Sequence, residues 1–185
     1  HPMKGLIAPG KFIPVFERNG FVSKVDEYVW EEVCRLQRGW LDAGLPVVPI
    51  SVNVSRRDIY NPHLCKTISG LVRKYRLPHS LLRLEITESS YMENPEQLIK
   101  TVEKLRSEGF AVEMDDFGSG YSSLNTLREV PVDMLKLDMK FLESGMEDSR
   151  GGSILTSVIR MAHWIKLPVI AEGVETKAQA DYLGS

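Results

Sequence analysis

The sequence of 185 residues has few of the features that mark specialised protein classes. Its two cysteines, Cys34 and Cys65, lack Cys-x-x-Cys spacing, so we expect reduced thiols rather than a disulfide framework or a zinc site. No apolar run approaches the roughly 20 residues of a membrane span, and no secretory pattern opens the chain. With 23 basic and 25 acidic side chains, the chain has no positive excess for polyanions, and we expect no DNA or RNA polymer as a partner.

What the sequence does contain is typical of one globular α/β domain, which we predict to span residues 1–185. Hydrophobic residues make up 43% of the chain, enough for a sizeable core. Short runs rich in branched residues alternate with helical patterns, and this alternation predicts βαβ units with a parallel sheet. The predicted strands are Pro49–Asn53, Leu82–Glu85, Ala111–Asp115, Met134–Lys136 and Val169–Glu172.

Helix boundaries are indicated by capping residues, prolines and glycines. A helix is predicted from Ser23 to about Gly44, and Gly109 is predicted to end the helix before the third strand. The remaining signals are starts at Asn61-Pro62, Asn94-Pro95 and Thr176, and a glycine break at Gly151-Gly152 before a helix over Ile154–Ile165.

Each predicted strand ends in a polar residue, and these ends are about 30 residues apart on average: Asn53, Glu85, Asp115, Lys136 and Glu172. A TIM (β/α)8 barrel uses about 31 residues per unit and gathers the carboxyl ends of its strands around one site. Period-two alternation separates Arg83, Glu85 and Thr87 from an apolar face, as expected where a polar face lines a barrel interior. An open doubly wound sheet is the structural alternative.

Clustered carboxylates and an amide oxygen form a ligand set that suits Mg²⁺ or Mn²⁺. The adjacent Asp115 and Asp116 could hold two ions, and Lys136 could orient an attacking water. Taken singly, each acid is better explained as a solvated strand end or an ion-pair partner, an explanation that does not account for the whole set. The loop after Asp116 contains two glycines within three residues, a pattern that also occurs in an ordinary βα turn.

The sequence resembles the EAL-domain family of bacterial cyclic di-GMP phosphodiesterases along its whole length. The matching segments, in the order and spacing of the family, are His1-Pro2, 5–9, 12–14, 51–55, 84–89, 115–124, 131–133, 135–138 and 171–176. The resemblance implies a modified barrel with one antiparallel strand. It also implies hydrolysis of one phosphodiester of cyclic di-GMP to linear pGpG.

The resemblance further implies roles for individual residues. Two Mg²⁺ or Mn²⁺ ions are expected, and Lys136 and Glu172 are the expected catalytic residues. Glu88 is expected to anchor the glycine loop, a segment linked to dimerisation in relatives, and Asp138 and Glu175 to support loops. The expected ligands are Asn53, Glu85 and Asp115 for one ion, and Asp115, Asp116 and Glu172 for the other. The adjacent Arg56 and Arg57 are either substrate contacts or a solvated pair.

The resemblance has departures and leaves alternatives open. The motif that names the family, Glu-Ala-Leu, is expected upstream of His1, and the last barrel strand downstream of Ser185, so the barrel is expected to be incomplete in this chain. The expected setting is a cytoplasmic homodimer or the cytoplasmic face of the inner membrane, with sensory or GGDEF-type domains in the parent. The functional alternative is an inactive module that binds cyclic di-GMP or docks a partner.

Overall fold

A computed structural model describes residues 2–118, 124–137 and 149–183. The strands are β1 (Ile50–Asn53), β2 (Leu82–Thr87), β3 (Ala111–Phe117), β4 (Met134–Leu137) and β5 (Val169–Ala171). The helices are α1 (Pro9–Asn19), α2 (Val22–Asp42), α3 (Arg56–Ile59), α4 (Leu64–Lys74), α5 (Pro95–Ser107), α6 (Leu124–Glu129), α7 (Ser149–Trp164) and α8 (Lys177–Leu183). Two 3₁₀ segments, His79–Leu81 and Glu88–Met92, flank β2.

The five described strands form one parallel sheet in the order β1-β2-β3-β4-β5. Each strand pairs with the next strand in the sequence, and the order never reverses. A doubly wound sheet reverses its order at a switch point, whereas a barrel adds its strands in one direction. The topology therefore follows the predicted barrel, although the described strands leave the sheet open at β1 and β5.

Alternation along the strands divides the sheet into an apolar face and a polar face. Leu82, Leu84 and Ile86 of β2 are fully buried. They belong to a core shared with the helices, to which α2 contributes Trp30 and α5 contributes Leu98. The helices thus cover the outer face, and the inner face of the sheet carries the polar residues that the pattern predicted.

Three predicted helix boundaries are wrong. Ser23 does not cap a helix but lies inside α2, which begins at Val22. The Asn61 side chain accepts a hydrogen bond from the His63 backbone at 2.9 Å, so Asn61-Pro62 forms a turn and α4 begins at Leu64. Gly151 and Gly152 lie inside α7. Two glycines weaken a helix but do not end it where apolar residues at helical spacing continue over the rest of its length. The other two starts are confirmed, since Asn94 and Thr176 cap the backbone of Gln97 and Gln179.

Among the described residues, no helix is long and apolar enough to cross a membrane.

Candidate active site

The polar strand ends converge on the ammonium group of Lys136. Its Nζ lies 2.6 Å from Glu85 Oε1, 2.6 Å from Glu172 Oε1 and 3.4 Å from Asp115 Oδ1. The three acids come from β2, from β3 and from the residue after β5, so neighbouring strands deliver them to one end of the sheet. We call Glu85, Asp115 and Glu172 the carboxylate cluster.

Burial determines the electrostatics of the cluster. The Lys136 side chain is 9% exposed and that of Glu85 is 10% exposed, whereas Glu172 is half exposed and opens to solvent. Burial raises the pKa of Glu85, an effect that its bond to Lys136 opposes. Burial also works against the charge of Lys136, but hydrogen bonds to Glu172 and Glu85 outweigh it and raise the pKa of the amine. Lys136 is therefore a cation at neutral pH.

Asn53 stands at the end of β1, where its Cα pairs with that of Glu85. Helix α2 fixes this strand end from the outer face through two contacts that the sequence did not suggest. Trp30 Nε1 donates to the Asn53 carbonyl at 2.9 Å, and Asp26 Oδ2 accepts from the Ser55 backbone at 2.9 Å. The spacing of apolar residues along the helix predicts that Trp30 faces the core. It does not predict which carbonyl accepts a hydrogen bond from the indole.

Asp115 and Asp116 lie at an irregularity in β3. The register shifts between Met114 and Phe117, and Asp116 has a positive φ of 55°. In a regular strand, consecutive side chains point to opposite faces, and a bulge breaks this alternation. The Asp115 carboxylate also accepts a hydrogen bond from the Asp116 backbone at 2.9 Å. The second acid is thus held at the strand end by a strained backbone rather than by strand geometry alone.

A second ion pair lies beside the cluster on the inner face of the sheet. Arg83 Nη1 donates to Glu113 Oε1 at 3.0 Å, and Ser51 Oγ donates to Glu113 Oε2 at 2.9 Å. Glu113 is only 2% exposed. The alternation of β2 placed Arg83 on this face, but Glu113 was not singled out. Its position two residues before Asp115 is the signal that could have identified it.

The 3₁₀ segment after β2 contacts the backbone after β3. Glu88 Oε2 accepts a hydrogen bond from the Gly118 backbone at 3.4 Å, at the start of the predicted glycine loop. Residues 119–123 of that loop, and Asp138, lie outside the described residues. Glu175 is exposed at the entrance to α8, where its backbone N–H donates to Gln179.

The structure places Arg56 and Arg57 in α3, beside the end of β1. Arg56 pairs with Glu93 at 3.2 Å, and both side chains are about half exposed. Both arginines line an open cavity of about 430 Å³, together with Tyr60 and Glu93. The residues that line this cavity do not include Glu85, Asp115, Lys136 or Glu172, and contact of either arginine with a substrate stays a prediction.

Carboxylate oxygens are ligands that suit a hard cation, and the three acids of the carboxylate cluster already surround the positive charge of Lys136. Their present arrangement fits the amine rather than a metal, because within the residues that the structure describes no three acidic, histidine or cysteine side chains are placed to hold a metal ion. The Lys136 ammonium lies at the centre of the cluster and takes that position. A metal would have to share the carboxylates with this amine.

Comparisons with known proteins agree over nearly the entire chain. The sequence profile of the EAL domain matches residues 1–185. The bifunctional diguanylate cyclase/cyclic di-GMP phosphodiesterase MucR of Pseudomonas aeruginosa is 36% identical over 99% of this chain and 27% of its own length. The cyclic di-GMP phosphodiesterase NbdA of the same organism is also 36% identical, over 99% of this chain and 23% of its own length. The chain thus spans about a quarter of these curated relatives.

Solved structures give the same result for the fold. A complex of the MucR phosphodiesterase with c-di-GMP superimposes with a TM-score of 0.91 at 36% identity, covering all of this chain and 74% of that chain. The FimX EAL domain reaches a TM-score of 0.88 at 20% identity, a likeness that concerns the fold alone. On the match to the domain profile and to these relatives, the chain belongs to the EAL domain family.

Proposed function

We propose that this protein hydrolyses one phosphodiester bond of cyclic di-GMP to give linear pGpG in a metal-dependent reaction. The observation that carries the proposal is the bonding of Lys136 to Glu85 and Glu172, with Asp115 close by. Membership of the EAL family and the phosphodiesterase names of two relatives support the choice of substrate.

The electrostatic balance of the site supports metal dependence. Four acids, Glu85, Asp115, Asp116 and Glu172, stand against the single positive charge of Lys136. A dianionic dinucleotide would be repelled by this surplus of negative charge unless cations compensate for it. Two Mg²⁺ or Mn²⁺ ions would supply that charge and Lewis acidity. Asn53, Glu85 and Asp115 would hold one ion, and Asp115, Asp116 and Glu172 the other.

Lys136 and Glu172 are the residues that we propose act on the reacting groups. Because its pKa is raised, Lys136 is a hydrogen-bond donor at neutral pH and not a general base. It would orient the attacking water and neutralise charge that develops on the phosphate. Glu172 is the most exposed member of the carboxylate cluster, so solvent and substrate reach it first. Glu85 holds the lysine from the buried side.

The wider setting is also part of the proposal. Loop support by Glu88, Asp138 and Glu175 is proposed, as is contact of Arg56 or Arg57 with substrate. We propose a homodimer and, since the chain spans about a quarter of its relatives, attached sensory or GGDEF-type domains. The buried free cysteines, Cys34 and Cys65, are compatible with the reducing cytoplasm as its location.

The alternative is a module that binds cyclic di-GMP without cleaving it. The arrangement of the described residues favours this alternative, because no three acidic, histidine or cysteine side chains among them are placed to hold a metal. A separation of products by chromatography decides between the two. The natural full-length chain that contains residues 1–185 is incubated with cyclic di-GMP in Mg²⁺, in Mn²⁺ and in EDTA. Metal-dependent pGpG supports hydrolysis, and saturable binding without pGpG supports the module.

A further inference from the structure

The inner face of the sheet holds one more acid than the proposed chemistry uses. Glu113 lies in the same row of the sheet as Asn53 and Glu85, because the Cα atoms pair from β1 to β2 and from β2 to β3. Neighbouring strands are about 4.8 Å apart, so Glu113 stands directly beside Glu85. Its Cα also pairs with that of Met134, which is two residues before Lys136 and on the same face.

This position makes Glu113 a competitor for the lysine. A buried carboxylate without a partner is costly, and the flexible side chain of Lys136 starts on the adjacent strand, two residues after the Cα partner of Glu113. In the structure, however, both oxygens of Glu113 are already engaged, one by Arg83 at 3.0 Å and the other by Ser51 at 2.9 Å. Lys136 is consequently left to Glu85 and Glu172.

We propose that Arg83 is a positioning residue for the candidate active site, which acts by holding Glu113 so that Lys136 stays on Glu85 and Glu172. Arg83 and Glu113 then have opposite effects on the position of the Lys136 amine. Loss of Arg83 alone frees the Glu113 carboxylate to attract Lys136, whereas loss of both charges removes this attraction and leaves Lys136 on Glu85 and Glu172. A contribution to stability alone would not move the lysine.

The first test is structural and does not depend on turnover. Crystal structures are determined for metal-free Arg83→Met, Glu113→Gln and the double variant, each in the natural full-length chain that contains residues 1–185. In Arg83→Met we expect Lys136 Nζ to leave Glu85, now 2.6 Å away, and to bond with Glu113. In the other two variants we expect the bond to Glu85 to remain. A lysine that stays on Glu85 in Arg83→Met overturns the inference.

The second test rests on the proposed function and measures kcat and KM separately. For Arg83→Met we expect kcat to fall about 10- to 100-fold, because misplacing a catalytic group by about 1 Å costs that much. The KM for cyclic di-GMP in Mg²⁺ should stay within about threefold, since no proposed substrate contact is removed. In the double variant kcat should return to within about threefold of the wild type. Failure of this recovery also overturns the inference.

Two controls separate the possible causes of a loss. Arg106→Met breaks an ion pair with Asp133, 2.8 Å long, that lies outside the carboxylate cluster. It should leave kcat within about twofold, and an equal loss of kcat in this variant would indicate general destabilisation and contradict the inference. If Arg83→Met does not fold, Arg83→Gln removes the same charge and is read in the same way. A wild type without turnover would refute the proposed function, while the crystal structures would still decide the position of Lys136.

Discussion

At the scale of single residues, Lys136 links the buried part of the candidate site, at Glu85, to the half-exposed part, at Glu172. It neutralises a buried carboxylate on one side and contacts a half-exposed one on the other. The same contacts that keep the amine charged also keep Glu85 from being an unpaired buried acid. Stability and the proposed chemistry therefore depend on one side chain.

Replacing Lys136 by methionine should affect both properties. We expect kcat for cyclic di-GMP to fall by about 10³-fold, the size of a general acid–base or orienting contribution. In EDTA the free energy of unfolding should drop by about 3–5 kcal/mol, because Glu85 loses its partner. Urea denaturation measures the second effect. Lys100→Met, an exposed change on α5, is the matched control, and an equal loss there would contradict the assignment.

Asp26 gives a prediction about pH. Its pKa is raised from 3.8 to about 6, chiefly by burial and to a smaller extent by the neighbouring Asp58, and the hydrogen bonds from Ser55 oppose this rise. The folded protein thus binds a proton that the unfolded chain has released. The stability that this proton contributes is complete below pH 4 and is lost as the pH rises through 6.

The Asp26→Asn variant tests this linkage. Asparagine can still accept the hydrogen bond from the Ser55 backbone, but it cannot ionise. The advantage of the variant over the wild type in free energy of unfolding should therefore grow by about 1 kcal/mol between pH 5 and pH 8. Parallel urea titrations at the two pH values measure it. An advantage that is constant with pH would show that Asp26 does not titrate in this range.

Sequence patterns predicted the orientation of single residues only where the geometry of one strand or helix determines it. Period two placed Arg83 and Glu85 on one face, because that alternation is a property of every strand. Which side chains then meet depends on register between strands, which no single segment encodes. The contact between Arg83 and Glu113 and the bond from Trp30 to the Asn53 carbonyl are of this second kind.

At the scale of elements, the 3₁₀ segment Glu88–Met92 connects β2 to the chain after β3. Glu88 bonds the Gly118 backbone, and Tyr91 Oη donates to Glu129 of α6 at 2.6 Å. The segment therefore contacts the chain on both sides of residues 119–123. The two bonds therefore connect the segment to Gly118, two residues after Asp116, and to α6.

Replacing Glu88 by alanine should loosen this connection. We expect faster hydrogen exchange at the Gly118 amide and a fall in kcat of about tenfold, with little change in the fold, since the hydrogen bond from Gly118 is lost. Hydrogen exchange read by mass spectrometry checks the first effect. Glu88→Gln keeps an acceptor oxygen and should retain most of the activity. Equal exchange in all three proteins would contradict an anchoring role.

The strands were predicted more reliably than the helix boundaries. All five predicted strands are present, because short runs of branched apolar residues are typical of strands that are buried in a parallel sheet. Asn61-Pro62 misled because asparagine before proline also starts a turn, and Gly151-Gly152 because local weakness does not interrupt a helix that packs well.

At the scale of the whole molecule, the described sheet has two open edges. The described strands give β1 and β5 one neighbour each, and the chain covers 74% of the MucR structure that it resembles. Unpaired edges expose backbone donors and acceptors that attract further strands. Ile170 of β5, a residue of the inner face, is 40% exposed.

A polypeptide of residues 1–185 alone should therefore self-associate. We expect its apparent mass in light scattering to rise with concentration, and its kcat to be lower than that of the natural full-length chain. Addition of 1 M urea should reduce the association before the fold is lost. A monomer at every concentration, with full activity, would show that the open edges of the described sheet do not matter.

The central claim is that the carboxylate cluster serves a metal-dependent cleavage of cyclic di-GMP. The most direct measurement is the rate of pGpG formation in Mg²⁺ by the natural full-length chain and by its Asp115→Asn variant. Asp115 is the proposed ligand of both ions, so the account predicts turnover by the wild type, none in EDTA, and at least a 10³-fold loss in the folded variant. Equal rates in the two proteins, or a folded wild type that binds cyclic di-GMP in Mg²⁺ and never cleaves it, would contradict the account.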